Sequence, residues 1–319
     1  MGILNKSLVN KATILPSNLT PLGALPARFR KPRLLIVGSG DVAQRLANQL
    51  GSRWRILVLV RRSESAPNWR QASATVIKGD LDQLGTLRRM AGLAHRVVHL
   101  APPPNEGRMD PRTKHLIQAL SLRTLPSQLV YASTTGVYGD AAGEWVDECR
   151  MLAPLTDRAH RRVHAERALK DWGRRVATRV SVLRIPGIHS QDREGSLRQR
   201  LERQVPVLVP SQDIYTNHIQ ADDLARMLHW SLWSGLPQRS YNVNDDTQLK
   251  LGQALDDLAD HLSLPRPERI TWEQAQQRMS PMVLSFWRES RRIDASRFKS
   301  EWPWRLRFPQ LIDAYHRSS

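Results

Sequence analysis

Gly38, Gly40 and Ala43 are spaced so that a backbone can come close to a phosphate. In Gly38-Ser39-Gly40-Asp41-Val42-Ala43, the first glycine permits a tight turn and the second removes a side chain that would hold a ligand away. The alanine permits close packing of helix on strand. A helix starting at Asp41 and Val42 would present free N–H groups and the positive end of its dipole to a pyrophosphate. About twenty residues on, an NAD-binding chain usually places an acid against the ribose 2′-hydroxyl. Arg61 and Arg62 stand there instead, and two guanidinium groups suit the 2′-phosphate of NADP. These residues predict dinucleotide binding, with NADP preferred over NAD.

The elements that must position this turn follow from the apolar runs. Residues 34–37 precede it, a helical pattern follows it, and 56–60 form a second apolar run. Further strands are predicted at 74–81, 96–101, 129–132 and 180–185. Helical spacing occupies 84–93, 111–121 and 157–173, and Asp110 is placed to cap the second of these. Strands alternating with helices predict an α/β fold, a Rossmann-type doubly wound parallel sheet. Ligands bind such sheets beyond the carboxyl ends of the strands. The segments after Gly38, Arg61, Asp80, Ala101, Ser133 and Pro186 should therefore meet around one crevice.

Beyond Pro186 the pattern loosens, with a helix at 222–233 and a short strand at 241–243. Three parts are expected: a disordered basic extension over 1–31, a dinucleotide-binding domain over 32–186, and a smaller C-terminal substrate lobe over 187–319 with segments returning to the main sheet. Trp230 and Trp233, at helical spacing, are expected in the core. Asp222 and Asp223 are expected to cap their helix. The apolar stretch 279–287 reads as lobe packing, with pocket lining or an oligomer face as alternatives.

A chain of 319 residues at 40% hydrophobic can build one large α/β domain with a smaller lobe. No apolar run reaches the ~18–20 residues that span a bilayer. The single cysteine, Cys149, excludes an intrachain disulfide and a cysteine-based zinc site, and fits a reducing cytoplasm; no metal is expected. The formal net charge of +18 would suit nucleic acid. Yet the arginines are spread through every segment, with no dense basic run. An anionic cofactor and an anionic substrate explain the balance with less, so nucleic-acid binding is disfavoured.

The pieces VGSGDVA, GDLDQ, VVHLAPPP, VYASTTGVYGD, VDECRMLAP, LRIPGI, TNHIQADDLA and YNVNDD lie in an order and spacing that resemble the extended short-chain dehydrogenase/reductase superfamily, specifically its nucleotide-sugar epimerase and dehydratase group. The resemblance covers about residues 34–310. It implies that Asp80 and Leu81 flank the adenine and that Ala101 and Pro102 line the dinucleotide. Pro186 and Gly187 would follow the strand that reaches the nicotinamide end, and Ser133 joins the same cofactor-binding set. The family's catalytic serine lies four residues before the tyrosine of the VYG tripeptide, which is Thr134 in this chain. Its hydroxyl can still hold a substrate oxygen.

The resemblance also implies a tyrosine and a lysine four residues apart. The lysine lowers the tyrosine's pKa for proton exchange with substrate and binds the nicotinamide ribose. Counting back from Glu166 in DRAHRRVHAE puts Arg162 at the lysine position and Arg158 at the tyrosine position. Arginine, with a pKa above ~12, is no neutral proton donor near pH 7. Arg162 can hold the ribose, whereas Arg158 cannot replace a phenol. The family's active-site asparagine is absent, with Asp110 in its neighbourhood. These departures match an atypical subgroup in which the catalytic tetrad has decayed.

Tyr138, on the same loop as Thr134, is the nearest replacement at the crevice rim; the alternative is that it packs as the motif's aromatic residue. His160, His164 and His189 titrate near neutrality but read as surface or lobe residues. Two functions stay open. One is an NAD(P)-dependent oxidoreductase or epimerase acting on a small, anionic or sugar-like substrate, with Thr134, Tyr138, Arg162 and Asp110 as catalytic candidates. The other is a non-catalytic NADP(H)-binding redox sensor or regulatory protein. A cytoplasmic setting is expected, with a homodimer open.

Overall fold

The structure, a computed structural model, describes residues 31–62, 64, 66–301 and 305–315. The expected extension, apart from Lys31, lies outside the described residues. Seven strands form the main sheet: β1 (Arg33–Val37), β2 (Arg55–Val60), β3 (Thr75–Lys78), β4 (Arg96–His99), β5 (Gln128–Thr134), β6 (Arg179–Ile185) and β7 (Arg239–Asn242). Their order is β7-β6-β5-β4-β1-β2-β3, and every neighbouring pair is parallel. The order reverses between β1 and β4, which opens a crevice at their carboxyl ends.

Parallel strands covered on both faces read as continuous apolar runs, and β1 shows why. Leu34 and Ile36 face a core shared with α1 (Asp41–Leu50), through Ala43 and Leu46. Leu35 and Val37 face the opposite core. That second layer is completed by α3 (Pro111–Leu120) and α4 (Asp157–Val176), which contribute Leu116, Leu169 and Trp172. The short helix α2 (Ala66–Gln71) precedes β3, and α5 (Ala221–Ser234) lies beside α1 with Leu224 and Leu228 in the first core.

Three expectations need correction. The helical spacing at 84–93 forms a 3₁₀ helix over Leu84–Met90, not an α-helix. The residue capping α5 is Gln220, whose side chain accepts from the Asp222 and Asp223 N–H groups. Asp222 instead pairs with Arg45 at 2.9 Å, and Asp223 accepts from the Arg307 and Phe308 N–H groups. Trp230 and Trp233 are exposed at 42% and 45%, because their face of α5 lies outside the core. The Trp233 ring there carries the Arg96 guanidinium 3.8 Å from its centre.

The smaller lobe has a core of its own, in which Leu197, Leu201 and Val207 meet Leu255, Leu258, Ile270 and Trp287. It includes α6 (Leu251–Leu262) and α7 (Pro281–Trp287). Residues 221–242, comprising α5 and β7, return to the main sheet. No helix among the described residues is long and apolar enough to cross a membrane.

Candidate functional site

The nucleotide side of the crevice is built from backbone. Gly38 has φ +105°, and a Cβ there would lie 2.5 Å from the Ala101 nitrogen. The Leu100 and Ala101 N–H groups both donate to the Val37 carbonyl, at 2.7 and 2.9 Å. The turn after β1 is therefore pressed against the chain leaving β4, and only glycine fits. Gly40 is different. It caps α1 with an extended backbone and no side-chain hydrogen bond, and a Cβ there would meet nothing within 4 Å. The start of α1 is thus uncapped and open at Gly40, as an anion site at a helix N-terminus requires. Asp41 is drawn aside by Arg45 at 3.0 Å and Arg193 at 3.4 Å.

Arg61 and Arg62 are both exposed immediately beyond β2. The Asp80 carboxylate accepts from the Asp82 N–H at 3.0 Å, and Leu81 is buried in the sheet-side core. Pro102 is exposed beside Ala101. Arg112 ties these loops together and was not singled out from the sequence. It makes a two-pronged contact with Asp82 at 2.6 and 2.7 Å and donates to the Pro102 and Pro103 carbonyls. Its hydrogen bonds hold the Asp82 carboxyl below the usual range, and Arg61 adds to the effect.

The far end of β5 has two sides. Thr134 ends the strand half-buried, and its Oγ1 accepts from the Gly136 N–H at 3.2 Å. Ser133 and Tyr138 turn inward. The Ser133 hydroxyl donates to Glu166, which forms a buried ion pair with Arg184 at 2.8 Å. Arg184 also donates to the Tyr138 phenol at 2.8 Å, and that phenol donates to Asn242 Oδ1 at 2.7 Å. Burial pushes the phenol up to about 12. Tyr138 therefore packs in a network joining β5, α4, β6 and β7, which corrects its expected place at the rim. Asp110 is likewise buried as a cap, accepting from the Thr113 N–H at 3.2 Å and its hydroxyl at 2.7 Å. Pro186 and Gly187 follow β6, and the Gly187 N–H donates to the Asn217 carbonyl at 3.2 Å.

Helix α4 brings Arg162 to the end of β5. Its Nη1 donates to the Tyr131 hydroxyl at 3.0 Å and to the Ala132 carbonyl at 2.9 Å. One turn earlier, Arg158 lies 4.5 Å from the centre of the Phe286 ring. Phe286 is on α7, so the 279–287 stretch divides between two roles. Trp287 packs in the lobe core, while Phe286 is exposed towards α4. Just beyond, Glu289 pairs with Arg291 at 2.8 Å. From a Cβ placed on Gly136, Thr134 Oγ1 would be 3.6 Å away and Glu289 Oε2 4.0 Å. Thr134 and Glu289 thus both lie beside Gly136. His160 and His164 lie on another part of α4, in a groove with Arg108 and Arg167. His189 is buried in the lobe, stacked on Tyr315.

The profile of the NAD dependent epimerase/dehydratase family matches residues 34–243. The chain belongs to that family. Among solved structures, a conserved protein of unknown function from Silicibacter pomeroyi is 26% identical with a TM-score of 0.75, covering 89% of this chain and 96% of its own. The dTDP-glucose 4,6-dehydratase of Bacillus anthracis, solved with NAD, is 15% identical with a TM-score of 0.71, covering 89% of this chain and 94% of its own. The UDP-glucuronic acid 4-epimerase of Bacillus cereus, also solved with NAD, is 15% identical with a TM-score of 0.65, covering 84% and 91%. At such identities the last two establish shared fold alone. No curated protein matches the chain.

In this epimerase/dehydratase family member, Gly38, Gly40, Asp41, Val42 and Ala101 come together at the switch point of the sheet. Arg162 reaches β5 near Thr134, Arg158 lies one turn earlier on α4 against Phe286, and Tyr138, Ser133 and Asp110 are turned away into buried hydrogen bonds.

Proposed function

We propose that this chain binds NADP(H) at the switch point and acts as an oxidoreductase or epimerase on a small, anionic or sugar-like substrate. The observation that carries this reading is the contrast at the first turn. Gly38 is required by the protein's own backbone, whereas Gly40 leaves open space before an uncapped helix start. The exposed pair Arg61 and Arg62 favours NADP over NAD. The Bacillus relatives are named for nucleotide sugars, which supports a sugar-like substrate.

The nicotinamide, when bound, supplies or accepts a hydride at its C4. The protein's part is placement and charge. Thr134 orients the substrate oxygen. Arg162, fixed by Tyr131 and Ala132, holds the nicotinamide ribose. Glu289 lies beside Gly136 together with Thr134 and is the carboxyl group that exchanges the proton. A second reading, an NADP(H)-binding sensor without turnover, draws on the burial of Tyr138, since that phenol is already bonded to Arg184 and Asn242.

Titration of the full-length protein with NADPH and NADH, beside Arg61→Ala and Arg62→Ala, tests the cofactor assignment. The expected result is an NADPH preference of about tenfold or more that the variants lose. If neither nucleotide binds, the proposal falls. Turnover of NADPH with candidate sugars that disappears in Thr134→Val, cofactor binding being kept, separates the enzyme from the sensor.

A further inference from the structure

Arg158 occupies an unusual position for a charged side chain. It is half-buried, and no acceptor among the described residues takes a hydrogen bond or ion pair from it. Its one described close partner is the exposed ring of Phe286, whose centre lies 4.5 Å from the guanidinium carbon. The neighbouring charges do not compensate it. Arg162 donates to Tyr131 and Ala132, and Arg161 donates to the Gly107 carbonyl, but both remain positive. The carboxylate that reaches it electrostatically is Glu289, and Glu289 is already paired with Arg291. Arg158 and Arg291 therefore share a single carboxylate, to which only Arg291 is directly paired. Burial, reinforced by Arg161 and Arg162, holds the Arg158 pKa below its usual value, and an arriving anion would relieve that.

The location matters as much as the charge. Glu289 stands between Arg158 and Thr134 in the sense that its Oε2 would be 4.0 Å from a Cβ on Gly136, beside Thr134, while its charge acts on the Arg158 guanidinium. Building on the functional reading above, we propose that Arg158 is a substrate-recognition residue that receives an anionic group, a carboxylate or a phosphate, on the lobe side of Thr134. A planar guanidinium braced on a ring offers two parallel N–H donors to such a group. The residue at the family's proton-donor position then selects the substrate and performs no proton transfer.

The test uses full-length protein saturated with NADPH, so that the phosphate-binding groups near α1 and β2 are filled. It is titrated calorimetrically with malonate and, separately, with inorganic phosphate. At least one anion is expected to bind the wild type, about tenfold or more weaker to Arg158→Gln. Arg158→Lys should fall between them. Tighter malonate binding assigns a carboxylate substrate, and tighter phosphate binding a phosphorylated one. Phe286→Ala, at an exposed ring, should weaken the same anion several-fold while leaving the fold intact, which keeps the test decisive if Arg158→Gln is unstable. Equal affinity in the wild type and the variants, or no binding of either anion to the wild type, overturns the proposal. If NADPH itself fails to bind, the cofactor reading is lost. The same titrations on the nucleotide-free chain then judge Arg158 separately.

Discussion

The two sides of the crevice keep their family character by different means. On the nucleotide side the required features are backbone positions: Gly38 against Ala101, Gly40 facing open space, Ala43 packed in the core. On the substrate side the features are side-chain functional groups. Arg158 and Arg162 stand on α4, Tyr138 is buried, and Glu289 enters from the lobe. A backbone turn has few acceptable residues, so it persists while the fold persists. A side chain at a helix surface can be exchanged without disturbing packing, so chemistry drifts faster than scaffold.

The largest expected effect lies within the nucleotide side and sharpens this contrast. Gly38→Ala would drive a Cβ into the Ala101 backbone at a positive φ, and should destabilise the fold by roughly 3 kcal/mol. Gly40→Ala meets no atom and should change stability by about 1 kcal/mol at most, through the weaker helix cap. It should nevertheless weaken NADPH binding about tenfold or more. Urea unfolding and nucleotide titration of both variants read the two effects independently. Equal loss of affinity and stability in Gly40→Ala would erase the distinction between a structural and a ligand-facing glycine.

A middle-sized effect comes from a buried histidine on the substrate side. His218 is pushed down to about 3, chiefly by burial, with His189 and Arg200 adding. It is therefore neutral in the folded state at pH values where the unfolded chain, with a histidine pKa near ~6.5, takes up a proton. The associated stability is complete above about pH 6.5 and declines as pH falls, by about 1.4 kcal/mol per unit within that window. Burial lowers His99, at the end of β4, in the same sense. Urea unfolding at pH 7.5 and 5.5 should show the fall, and His218→Gln should flatten part of it. A pH-independent midpoint would mean that water reaches this cluster.

What was legible in the sequence follows the same division. The glycine turn, the Asp110 cap and the alternation of strands with helices rest on rules that operate over a few residues, and they were readable. For Tyr138 the sequence offered both packing and a place at the rim; packing is what the structure shows, set by Arg184 and Asn242, 46 and 104 residues away. Glu289 is brought to Gly136 by the lobe, with no local spacing to announce it. The spacing of Trp230 and Trp233 correctly places them on one helical face. It carries no information on whether that face meets the sheet or, as here, a surface arginine.

Tyr138→Phe is the smallest perturbation and the most pointed one. Removing the hydroxyl takes one partner from Asn242 and one from Arg184, but Arg184 keeps its ion pair with Glu166. The expected cost is about 1 kcal/mol of stability, with NADPH affinity and any turnover unchanged. Thermal unfolding and nucleotide titration measure the first two, and NADPH consumption the third. If turnover vanished while stability and cofactor binding held, the phenol would have to leave Asn242 and reach the substrate during the reaction. Tyr138 would then be the proton donor, and the contrast between a nucleotide side set by backbone and a substrate side set by Arg158, Arg162 and Glu289 would fail at that residue.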